Sequence, residues 1–127
     1  MRALVIDDSR VMRKIVGGNL RELGFETVEA GDGQEALDVL DSGVEVDLAC
    51  IDWNMPVMDG LTFVTKVRAN PELRGITLMM VTTESEQGQI VRALAAGAHE
   101  YLIKPFTPQA MREKLELLGL VSMREYA

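Results

Sequence analysis

Short apolar runs rich in β-branched residues alternate along this chain with longer stretches whose apolar residues recur at helical spacing. Few folds accept that alternation. A strand that is apolar on both faces needs cover on both, so the pattern calls for a parallel sheet with helices on each side, an α/β doubly wound fold. Strands are expected at Ala3 to Ile6, Phe25 to Ala30, Asp47 to Asp52, Ile76 to Val81 and Tyr101 to Ile103, with the third in the centre.

The intervening helices carry their own start and stop signals. Val11, Met12, Ile15, Val16, Leu20 and Leu23 form a stripe that closes at Gly24, weakened by Gly17 and Gly18. Asp32 and Glu35 read as a capping box for a helix through Leu40, and a third helix runs from about Leu61 to Asn70-Pro71. Ile90, Val91, Leu94 and Ala95 mark a fourth helix closed by Gly97. Thr107 and Pro108 open a fifth, whose buried stripe is Met111, Leu115 and Leu118.

Bulk properties narrow the function. With 127 residues and 47% hydrophobic content, one domain spanning 1–127 is expected. Twenty acidic against 13 basic residues give a net charge of −7, which argues against a nucleic-acid partner and for a cation. No apolar stretch reaches the roughly 18 to 20 residues of a membrane span, and Asp7 and Asp8 interrupt the N-terminal apolar run, so neither a membrane nor a signal peptide is expected. A cytoplasmic protein follows, with Cys50 buried and inert in its apolar run.

In such sheets ligands bind beyond the carboxyl ends of the strands. Asp7 and Asp8 end the first strand, Asp52 the third, Thr82 the fourth and Lys104 the fifth, so all five should converge. An acidic pair before a helix can simply cap it, with Ser9 helping, and Lys104 can be an ordinary exposed lysine. Three carboxylates within about 4 to 6 Å, however, would repel by roughly 4 kcal/mol per close pair at an effective dielectric near 20, and so need a cation. All-oxygen donors suit Mg²⁺, which keeps room for waters and a substrate phosphate. Thr82 can donate to a phosphoryl oxygen, Lys104 can offset its charge, and Asp52 on the central strand is the candidate nucleophile for an aspartyl phosphate.

Val5-Ile6-Asp7-Asp8-Ser9, the run from Asp52 through Trp53, Asn54, Met55, Pro56, Val57, Met58 and Asp59 to Gly60, Val81-Thr82 and Lys104-Pro105-Phe106 together resemble a bacterial two-component response-regulator receiver domain of the stand-alone chemotaxis type. The resemblance covers nearly the whole chain. It implies a flavodoxin-like five-stranded parallel sheet of order 2-1-3-4-5. It also implies phosphoryl transfer to Asp52 from the phosphohistidine of a sensor histidine kinase, with Asp8, Asp52 and the backbone carbonyl of Asn54 holding Mg²⁺ and Asp7 assisting. Thr82 and Tyr101 would be the switch residues that reshape the surface of the fourth helix, fifth strand and fifth helix. Asn54, Thr83 and Glu84 would tune phosphate lifetime; many receivers have alanine or glycine where Thr83 stands. A cis Lys104-Pro105 bond is also implied.

The same resemblance implies a monomeric switch rather than an enzyme, acting on a downstream effector such as the flagellar motor switch, with a phosphatase as a further partner. No output domain is expected after the fifth helix. A phosphorelay intermediate or phosphate sink would use the same chemistry. An aspartyl-phosphate phosphatase needs a second acid two residues after the nucleophile, where Asn54 stands. A flavin mononucleotide binder would not place Asp7-Asp8 at the phosphate, and a docking scaffold would have lost site residues. His99, the only histidine, is expected to be a solvated surface residue without a role.

Overall fold

The structure, a computed structural model, describes residues 1–122. Positions 123–127 of the expected 1–127 domain lie outside the described residues. In chain order the elements are β1 (Arg2–Ile6), α1 (Arg10–Glu22), β2 (Glu26–Ala30), α2 (Gly33–Asp41), β3 (Leu48–Ile51), α3 (Gly60–Ala69), a single 3-10 turn (Pro71–Leu73), β4 (Thr77–Thr82), α4 (Gln87–Ala96), β5 (Glu100–Ile103) and α5 (Pro108–Leu117). Every strand pair is parallel and the order is β2-β1-β3-β4-β5, as expected. The expected boundaries hold to within a residue or two.

Alternation along the strands divides the core in two. Leu4, Ile6, Ala49, Ile51, Leu78 and Met80 face α2, α3 and α4, where Phe63, Val64 and Val67 fill the layer. Ala3, Val5, Leu48, Cys50, Met79 and Val81 face α1 and α5, packing on Val16, Leu20, Met111 and Leu115. Burial pushes the Cys50 thiol up to about 12, so it stays protonated and unreactive.

Four helices begin at a side-chain cap: Ser9, Asp32, Asp59 and Thr107 each accept from a backbone N–H three residues on. Helix α4 begins at Glu86 without one. Its expected buried stripe also differs. Ala93 is the buried residue and Ile90 is half-buried, while Val91 and Leu94 are 57% and 42% exposed and Ala95 faces solvent. From Ile90 to Ala96 only Arg92 is polar, so hydrophobic spacing could not specify which face turns inward. In α1 the exposed Val11 and Ile15 likewise leave Met12, Val16 and Leu20 as the packed face.

At the amino end of the sheet, Arg68 of α3 donates from Nε to the Gly97 carbonyl (2.9 Å), from Nη1 to that of Arg74 (3.1 Å) and from Nη2 to that of Ile76 (2.9 Å). His99 joins this network, accepting at Nδ1 from the Leu78 N–H at 3.0 Å with Arg68 Nη2 also 3.0 Å away. His99 is exposed, as expected, but it ties the starts of β4 and β5 together.

Candidate functional site

Parallel strands of matched register bring their carboxyl ends to one edge. There Ile6 pairs with Ile51, Ile51 with Met80, and Thr82 with Ile103, so the residues just beyond are neighbours. Asp7, Asp8 and Asp52 meet at this edge, each offering a carboxylate oxygen within 4.8 Å of the others. Such a set of hard oxygen donors could hold a divalent cation.

The three acids are held differently. Asp7 is only 3% exposed, and its backbone N–H donates to the Ala30 carbonyl at 3.1 Å. Its Oδ1 accepts from the Ser9 N–H (2.9 Å) and its Oδ2 from Lys104 Nζ (2.6 Å). Asp52 Oδ1 accepts from the Trp53 N–H at 2.8 Å, and its Oδ2 lies 3.5 Å from Lys104 Nζ. Asp8 is exposed, and no hydrogen bond or ion pair to its side chain is found among the described residues. Lys104, on a cis Lys104-Pro105 peptide, is therefore the cation shared by Asp7 and Asp52.

Thr82 is fully buried at the end of β4, and its Oγ1 accepts from the Glu84 N–H at 3.3 Å. That bond leaves the hydroxyl hydrogen free to donate. Tyr101 is 6% exposed and its hydroxyl donates to the Glu84 carbonyl at 2.7 Å. Burial, and then the charges of Glu84 and Asp52, raise the Tyr101 pKa, so the phenol remains a donor. Thr82, Glu84 and Tyr101 thus share one stretch of backbone.

The β3–α3 loop carries Asp52. Gly60 closes it with an N–H to the Trp53 carbonyl at 2.9 Å, and any Cβ there would collide with the Asp52 carbonyl oxygen. Exposed Val57 adopts φ 67°, and Met58 N–H reaches back to the Pro56 carbonyl at 2.7 Å, a γ-turn. Asn54 is exposed on this loop. Thr83 is exposed at the rim of an open apolar groove of about 450 Å³ that it shares with Met12, Ile15, Lys104, Pro105 and Phe106.

Two features were not apparent from the sequence. Arg13 reaches from α1 to the Asp7 carbonyl, a long side chain with no motif around it. Arg92 of α4 lies over the Trp53 ring, 6.0 Å from its centroid, on a helix whose facing could not be read.

The sequence model of the family described as response regulator receiver domain matches residues 3–116. Chemotaxis protein CheY1 of Helicobacter pylori is 45% identical over 119 residues, covering 93% of this chain and 96% of that one. Chemotaxis protein CheY of Pseudomonas aeruginosa is 44% identical, covering 91% and 94%. Among solved structures, Vibrio cholerae chemotaxis protein CheY4 superposes with a TM-score of 0.83 at 34% identity, covering 91% and 96%.

Proposed function

The chain belongs to the response regulator receiver family, and from that premise we propose that it is a single-domain switch in which Asp52 takes a phosphoryl group from a sensor kinase's phosphohistidine. The observation that carries this reading is the convergence of Asp7, Asp8, Asp52, Thr82 and Lys104 on one sheet edge.

In the transfer, a carboxylate oxygen of Asp52 forms a bond to phosphorus as the P–N bond breaks, and the departing imidazole nitrogen keeps the electron pair and takes up a proton. Charge builds on the phosphoryl oxygens, and catalysis consists of positioning and neutralising it. Lys104 Nζ, already 3.5 Å from Asp52 Oδ2, supplies positive charge from one side. Asp7, Asp8, Asp52 and the backbone carbonyl of Asn54 would hold Mg²⁺, which when bound would add further positive charge to offset the phosphoryl oxygens.

Once phosphorylated, Asp52 offers oxygens to the Thr82 hydroxyl and to Lys104. A shift of Thr82 draws on the Glu84 backbone, to which Tyr101 is bonded. Tyr101 is already buried here, so phosphorylation acts by favouring a loop arrangement that the unphosphorylated chain can reach. Helix α4, without a side-chain cap and with Val91 and Leu94 exposed, is the element that loop moves. Because the relatives named above are chemotaxis proteins, the partner we propose is an effector such as the flagellar motor switch. Asn54, Thr83 and Glu84 flank the site and set phosphate lifetime, with Thr83 narrowing the approach of small donors and water.

The test is the intact mass after brief exposure to acetyl phosphate, with Mg²⁺ or with a chelator. One phosphoryl group is expected, only with Mg²⁺, removable by hydroxylamine and absent from Asp52→Asn. Persistent labelling of Asp52→Asn, or uptake indifferent to the chelator, would refute the assignment.

A further inference from the structure

Asp8 is the acid of the cluster with the least support. Asp7 is fixed through its backbone and both carboxylate oxygens, and Asp52 through Trp53 and Lys104. Asp8 is exposed and its carboxylate has no partner among the described residues, so its direction depends on the peptide plane that joins it to Asp7. That plane is rigid: orienting the Asp7 carbonyl also orients the Asp8 amide and the departure of its Cα. The Asp7 carbonyl is held by Arg13 Nη1 at 2.6 Å. Arg13 is itself fixed at the other side of its guanidinium, where Nε donates to Glu29 Oε1 of β2 at 2.9 Å, and its side chain is only 18% exposed. A planar fork bonded on two sides cannot turn without breaking a bond.

We propose that Arg13 is a positioning residue for the cation site: it braces the Asp7–Asp8 peptide from α1 so that the Asp8 carboxylate points at the cluster. This rests on the reading of Asp7, Asp8 and Asp52 as a Mg²⁺ site. Residues that orient metal ligands from behind typically carry about a 10- to 100-fold share of metal affinity.

The sign of the effect separates this role from simple charge. Removing a cation beside a Mg²⁺ site relieves like-charge repulsion and should tighten binding. Loss of the brace should weaken it. Calorimetric titration of the full chain with MgCl₂ reads affinity without any phosphodonor. For Arg13→Gln, affinity is expected to fall about tenfold. Arg13→Lys keeps the charge but not the two-sided fork, and is expected to lose affinity several-fold. Wild-type or tighter binding by Arg13→Gln would overturn the proposal. Should that variant fail to fold, wild-type affinity in Arg13→Lys would do the same. Absence of Mg²⁺ binding by the wild type is a separate outcome: it removes the metal-site reading itself, and the role of Arg13 falls with it.

Discussion

At the carboxyl end of the sheet three carboxylates meet and only two of them share a lysine, whereas at the amino end one arginine meets three backbone carbonyls and a histidine. Backbone geometry follows the same division. The amino end keeps its positive φ on glycines, as at Gly97 (φ 124°), where a Cβ would collide with Arg68 Cγ. The carboxyl end places φ 67° on Val57, a β-branched residue that disfavours it. Like charges and backbone strain gather where a ligand is to be bound, and satisfied polar groups gather where nothing need move.

The largest effect that would break this contrast is at Asp52. Asp52→Asn should abolish phosphoryl uptake, read by intact mass, while leaving the urea unfolding midpoint no lower than wild type. A marked loss of stability would mean that the carboxylate is part of the scaffold. At the other end, Arg68→Met should cost about 2–3 kcal/mol in urea unfolding, because carbonyls of Gly97 and Ile76 lose their donor. Phosphoryl uptake well below the midpoint should be unchanged. A cost under about 0.5 kcal/mol would show that water replaces the guanidinium.

Val57→Asn sharpens the comparison from the strained side. Asparagine tolerates positive φ, so the variant should gain about 0.5–1 kcal/mol. A loss would place the strain elsewhere. The smallest effect concerns His99, whose pKa is lowered by burial and then by the Arg68 charge. The unfolded chain then binds the proton more readily than the folded one. Stability from this group is full above about pH 6.5, the ordinary histidine value, and is lost as pH falls through the lower folded value. Because His99 is the only histidine, His99→Asn should flatten that acid-side slope in urea midpoints, and an unchanged slope would exclude the residue.

The same contrast explains what the sequence disclosed. Asp7, Asp8, Asp52, Thr82 and Lys104 were legible because each ends a strand, and strand ends follow from apolar runs that leave little choice of register. Thr107 and Asp32 were legible as caps because their bonds are local, three residues on. Arg68, Arg13 and the structural part played by His99 were not legible. Their partners are backbone carbonyls and amides, which every residue carries, and their separations follow no local rule, as with Arg13 and Asp7 close by and Arg68 and Gly97 far apart. The facing of α4 was hidden for another reason: with apolar residues almost all round, its burial is decided by the small Ala93 fitting against the sheet layer. Strain at Val57 had no sequence signal, since valine is a poor choice for that backbone.

The most direct test of the division is the urea unfolding midpoint of wild type and Asp8→Asn, without divalent metal and then with saturating Mg²⁺. Asp8 has no partner to lose among the described residues, so removing its charge relieves repulsion alone. The predicted result is a crossing: Asp8→Asn is the more stable protein without metal and the less stable one with Mg²⁺, where wild type gains binding free energy. An Asp8→Asn protein less stable than wild type in metal-free buffer would contradict the account, because the acidic edge would then be a stabilising feature rather than a binding site.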